Sequence, residues 1–201
     1  MAATCRSGFV LLIVLQCVGT AKAGDEWVDY KGHDGPGKGK KIVLISGDEE
    51  YRSEEALPQL AKILAKHHGF DCRVLFAIDP ATGIVAPNNR KNIPGFDSIK
   101  DADLIIVLTR WRDLPDDQLQ MLDDYLKAGK PVIGIRTATH AFKPDNKDSK
   151  FAFLSDTSKG DKDWEAGGFG RAGLGEHWVN HHGKHKQEST RGEIAPGAEG
   201  D

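Results

Sequence analysis

Cysteine is scarce in this chain. There are three in 201 residues. Two of them, Cys5 and Cys17, fall in an N-terminal stretch that reads as a removable signal, which leaves Cys72 alone. One cysteine makes no internal disulfide and cannot build a multi-cysteine zinc site. Stability must then come from a packed core, and Cys72, in an apolar run, is expected to belong to it. A cationic excess is missing too. The formal net charge is -3, which excludes a broadly basic nucleic-acid binder. Beyond residue 23 no apolar run is long enough to span a bilayer, and there is no internal repeat.

The first 23 residues carry the features of a secretory signal. Arg6 supplies the positive n-region, Phe9 to Val18 the apolar segment, and Ala21-Lys22-Ala23 a small-residue cleavage site. Gln16 precedes Cys17 where a lipoprotein would have a small residue, which disfavours a lipid anchor. The expected destination is export, periplasmic or secreted, with no membrane attachment after cleavage. Loss of Arg6 and Lys22 lowers Lys+Arg from 27 to 25 against 30 acids, giving a mature charge of -5.

Residues 24–40 are polar and rich in Gly and Lys, and read as a flexible lead-in before a domain over 41–201. The domain alternates strands and helices. Ile42–Ile45, Cys72–Phe76, Leu104–Leu108 and Pro131–Ile135 are short continuous apolar runs, as in strands buried on both faces of a parallel sheet. Between them, Leu57, Leu60, Ala61 and Leu64 mark one helix, with Ser53 as its expected N-cap and Gly69 as its stop. Pro115 opens a second, with Leu119, Leu122 and Leu126 as the buried stripe and Gly129 as its end. The rhythm predicts an α/β three-layer fold, a mostly parallel sheet with helices on both faces. Residues 143–201 are polar and Gly-rich apart from Phe151–Leu154. Either they pack as functional loops or further strands are missing; the small number of strands favours the second reading.

In such sheets ligands bind beyond the carboxyl ends of the strands. Three of those ends are chemically rich: Gly47-Asp48-Glu49-Glu50-Tyr51-Arg52, Thr109-Arg110-Trp111-Arg112-Asp113, and Arg136-Thr137-Ala138-Thr139-His140. Asp48, Glu49, Tyr51, Arg52, Arg110, Trp111 and Arg112 suit a hydroxyl-rich ligand, through charge-assisted hydrogen bonds and aromatic stacking on a sugar face. Gly134-Ile135-Arg136-Thr137-Ala138 has the layout of a nucleophile elbow, but its central residue is arginine. Arginine only donates, so covalent acyl transfer is disfavoured there. Arg136 suits an anion or developing oxyanion; its structural alternative is an ion pair with Glu49 or Glu50. His140 is a candidate general base or metal ligand. Four of eight histidines lie in nine residues, His177, His181, His182 and His185. His177 and His181 have i, i+4 spacing, and Glu176 adds a carboxylate, so a divalent metal, zinc or manganese, is a candidate cofactor. A solvated polar loop is the plain alternative.

These segments, together with Glu176-His177-Trp178-Val179-Asn180-His181-His182-Gly183, resemble a ThuA-like (trehalose utilisation) domain over about residues 40–192. That family is similar in fold to class I glutamine amidotransferases, within the flavodoxin-like layout. The resemblance implies a sugar-related role, several strands beyond those found, and in some relatives metal binding through histidines. Amidotransferases place a cysteine where Arg136 stands, so glutaminase activity does not carry over. Two functional classes follow. One is an exported enzyme hydrolysing or isomerising a carbohydrate or oxidised sugar, with Arg136, His140 and Glu50 as catalytic groups and His177, His181 and His182 as metal ligands. The other is a non-catalytic carbohydrate-binding domain. In both the partner is a small carbohydrate, not nucleic acid.

Overall fold

The computed structural model describes residues 26–159, 166–180, 183–184, 187–189 and 191–197; the signal assigned to 1–23 lies outside them. The chain folds around a mixed five-stranded sheet with two α-helices, an α/β arrangement. Its strands are β1 (Trp27–Tyr30), β2 (Lys41–Gly47), β3 (Asp71–Leu75), β4 (Leu104–Thr109) and β5 (Val132–Gly134), in the order β1-β3-β2-β4-β5. β2 pairs parallel with β3 and β4, and β4 parallel with β5; only β1 runs antiparallel, on β3.

Alternation along the strands sends side chains to two cores. Ile42 and Leu44 face α1 (Ser53–His68), which contributes Leu57, Ala61 and Ala65. Val43 and Ile45 face α2 (Asp116–Lys127), which contributes Leu119, Leu122 and Tyr125. Continuous apolar strands are what a sheet buried on both faces requires. α1 ends at Gly69, whose left-handed φ of 79° lets its N–H return to the Ala65 and Leu64 carbonyls. Cys72 is buried in β3, and burial raises its thiol to about 11, so it remains a core residue.

Two expectations are corrected. Ser53 is the first residue of α1 and not its N-cap; Arg52 precedes it at φ 51°, and the buried Ser53 hydroxyl bonds Ser46 and receives the Asp48 N–H. The lead-in is not a flexible stretch over its described part. Trp27–Tyr30 form β1, Arg73 makes a fork to Asp29 at 2.7 and 2.8 Å, and the Gly37 N–H donates to the His68 carbonyl at 2.8 Å. Gly32 lies against the end of α1: a Cβ there would stand 2.6 Å from the Phe70 oxygen and closer to that of Gly69. Gly39 has open space around it. Gly32→Ala is therefore expected to destabilise the protein by about 1–3 kcal/mol through overpacking, and Gly39→Ala by only about 1 kcal/mol for its positive φ. Urea midpoints measure both; equal effects would mean that the segment does not hold this position.

The segment after β5 packs on the core. Phe142, Phe151, Leu154 and Phe169 are buried, and the Phe142 and Phe169 rings meet edge-on at 5.0 Å. Over its described residues as far as Trp178, then, it packs as loops on the core.

Candidate functional site

β2 is the first strand of the parallel set, and the chain leaves it to β3 on one side and returns to β4 on the other. The carboxyl ends of β2 and β4 form the crevice where that reversal occurs, the usual ligand position in an open α/β sheet. The loop after each strand reaches the other. Glu49 is bridged by Arg110 and by Arg112, whose Nη2 donates to Oε2 at 2.7 Å. The Glu50 carboxylate lies 3.4 Å from Arg110 Nη2. Beyond β4 the backbone continues as a short ladder: the Trp111 and Arg112 N–H groups donate to the His140 and Ala141 carbonyls, and the Lys143 N–H to the Arg112 carbonyl. This ladder sets Trp111 beside His140.

Three non-glycine residues have positive φ among the described residues: Arg52 at 51°, Trp111 at 49° and Arg136 at 52°. Each follows the end of a parallel strand, one each for β2, β4 and β5. Such conformations are costly and persist where the surroundings enforce them, which makes the rim a functional candidate. Arg136 begins the short 3-10 helix Arg136–His140, so the strand does turn sharply at the expected elbow.

His140 is 7% exposed. Its ring packs against Trp111 at 5.2 Å and Trp178 at 4.7 Å, and the two indoles meet edge-on at 6.2 Å. Nδ1 is 3.4 Å from Thr139 Oγ1. Burial pushes the imidazole below its ordinary value; the Asp156, Asp48 and Glu50 carboxylates oppose that and Arg110 reinforces it. His140 is therefore a neutral imidazole at pH 7, the form a general base needs.

Several candidates have other work. Asp48 is fully buried: Oδ1 accepts the Glu50 and Tyr51 N–H groups at 2.7 and 3.0 Å, and Oδ2 accepts from the Thr137 hydroxyl. It ties the end of β2 to the turn after β5 and has no surface for a ligand. Arg112 is 1% exposed, with Nε on the Arg110 carbonyl and Nη1 on the Pro87 and Asn89 carbonyls at 2.7 and 2.9 Å. It too is a tie. Arg52 is exposed and pairs with Glu55 in the first turn of α1. Arg136 lies over the Tyr51 ring at 3.9 Å, and Arg110 lies over Trp111 at 3.9 Å. One face of each candidate stacking ring thus already carries a guanidinium.

The histidine segment is present only in part. His177 is exposed and rests on Gly167, where a Cβ would collide with its ring. His181 and His182 lie outside the described residues. Among the described residues no group of three His, Cys, Asp or Glu side chains gathers to hold a metal. Trp178 brings the beginning of this segment onto the rim. Its role, and those of Thr137, Asp156, Arg90 and Lys143, were not foreseen. Trp178 stood next to His177 in its motif and Thr137 next to Arg136 in the elbow; Asp156, Arg90 and Lys143 gave no sequence signal.

Comparison with protein-family models, with curated proteins and with solved structures finds no match for this chain.

Proposed function

We propose that the cleft at the ends of β2, β4 and β5 belongs to an exported enzyme that hydrolyses or isomerises a carbohydrate or oxidised sugar. The observation that carries this reading is His140, a buried neutral imidazole between two indoles, on the same short helix as Arg136. With Nδ1 protonated toward Thr139, Nε2 holds the free lone pair. Nε2 takes a proton from water in hydrolysis, or from a carbon beside a carbonyl in isomerisation. Arg136, held on Tyr51, donates to the oxygen that gains charge. Glu49 and Glu50 position Arg110 against Trp111.

The resemblance of the strand-end motifs to ThuA-like domains, with their glutamine amidotransferase-like, three-layer fold, supports the sugar assignment, and the signal-like features of residues 1–23 support export. A zinc or manganese ion held by His177, His181 and His182 would add Lewis acidity. His177 is the one described member of that set, so no step is routed through a metal.

The test is incubation of the purified protein with a panel of neutral disaccharides, aldoses and sugar acids, followed by NMR of the products, alongside determination of bound metal. New or isomerised sugars are the expected result. Binding without turnover across the panel would make it a carbohydrate-binding domain, and neither binding nor turnover would overturn the sugar reading.

A further inference from the structure

A cavity of about 300 Å³ lies beside Trp111, lined by Glu49, Asn88, Arg90, Arg110, Arg112, Lys143 and Asp145 as well as the indole. The chain as a whole has 30 acidic and 27 basic residues. The cavity reverses that balance, with four cations against two carboxylates. We propose that it is an oxyanion pocket, and that the ligand of the cleft is an anionic sugar. This proposal rests on the sugar reading above and narrows it.

The cations divide by function. Arg90 is a wall. Its Nε donates to the Trp111 carbonyl at 2.6 Å, its Nη2 to the Lys143 carbonyl at 2.9 Å, and its guanidinium pairs with Asp145. Arg112 is a wall as well, tied to Glu49 and to the Pro87 and Asn89 carbonyls. Both contribute field without being available to a ligand. Arg110 and Lys143 remain, with Arg110 3.9 Å and Lys143 Nζ 5.5 Å from the same indole ring. Arg110 is shared with Glu49 and Glu50, whereas the Lys143 ammonium has no hydrogen-bond partner among the described residues. Arg110 is paired with Glu49 and Glu50, Arg112 with Glu49 and Arg90 with Asp145, so Lys143 is the lining cation left to meet the charge of an incoming anion. A partly enclosed site of one sign also focuses field on an incoming ligand of the other. Trp111 lines this cavity and also packs against the His140 ring at 5.2 Å, so it is the residue shared by the pocket and the proposed base.

Sugar carboxylates and sugar phosphates share this chemistry, and the probes separate them. Dissociation constants are measured for D-glucuronate, D-glucose 6-phosphate, D-glucose, inorganic phosphate and acetate at low salt. At least one anionic sugar is expected to bind tenfold or more tighter than glucose. Lys143→Gln is expected to reduce that ratio about tenfold, and Lys143→Arg to restore most of it. Lys147→Gln removes the same charge from the surface outside the cavity and is expected to leave the ratio as it was. Glucose binding as tightly as both anionic sugars would overturn the pocket and leave the sugar reading intact. Inorganic phosphate or acetate bound in a Lys143-dependent way, with no gain from any attached sugar, would support the pocket and overturn the sugar reading.

Discussion

Arg112→Met will lower the unfolding free energy by about 3–5 kcal/mol, the usual effect of removing one partner from a buried ion pair. A loss of that size corresponds to a fall in Tm of about 10 °C for a chain of this length. The side chain is 1% exposed, and three of its four partners are backbone carbonyls that no other side chain is seen to serve among the described residues. Its removal leaves the Pro87, Asn89 and Arg110 carbonyls without their donor and Glu49 with Arg110 alone. Buried polar groups without partners are the costly outcome, beyond the loss of the bond itself. Lysine is no substitute, because one ammonium cannot reproduce a fork that spans three carbonyls and a carboxylate. Arg52→Met is the control: that side chain is 72% exposed, and its replacement should change stability by less than about 0.5 kcal/mol. Differential scanning calorimetry decides the matter, and an Arg112→Met protein that melts with the wild type would show that the strand-end loops are held by something else.

His140→Gln is expected to lower turnover by about 10²–10⁴-fold, the range of a lost general base, with the fold retained. The same imidazole predicts a pH signature. Its folded value lies below the ordinary 6.5, chiefly because burial disfavours the charged ring. Between the folded and unfolded values the unfolded chain binds more protons, so stability rises with pH in that interval. The contribution is complete above 6.5 and is lost as pH falls from 6.5 toward the folded value. His140→Gln should remove this part of the stability profile while leaving the carboxylate-driven acid limb. In catalysis the base form survives below 6.5, so the acid limb of kcat/KM should fall below the ordinary histidine range. An acid limb at or above 6.5, or full activity in the variant, would remove His140 from the mechanism.

Much of this was visible in the chain before folding. β2 and β4 could be read because both faces of each are buried, which demands a continuous apolar run. The end of α1 could be read because Gly69 is needed for its backbone conformation. Ser53 misled because a hydroxyl before a helix commonly caps it, whereas here a tertiary contact with Ser46 and Asp48 captures it. β1 escaped because four residues in a Gly- and Lys-rich stretch show no periodicity, and their partner β3 is remote in sequence. At the rim, the rule that ligands meet strand ends indicated which loops converge. It did not indicate that Asp48 and Arg112 would be consumed inside the protein, since whether a polar side chain faces solvent or a neighbour is fixed only when the loops pack. Arg90 and Lys143 were invisible for the same reason: each stands alone in a polar stretch.

The grouping of Trp111 and Trp178 around His140 also gives the molecule a native optical reporter. Of four tryptophans, two lie in the cleft, and Trp27 lies on the outer strand over Arg73 at 4.8 Å. Ultraviolet emission therefore draws on the rim and on the far edge of the sheet, together with Trp164, which lies outside the described residues. A ligand entering between the two cleft indoles changes the polarity around them and leaves the strand-edge chromophore in its former surroundings. Occupancy can be followed by intrinsic fluorescence with no dye and no label, and Trp27→Phe would remove the edge signal from such a titration.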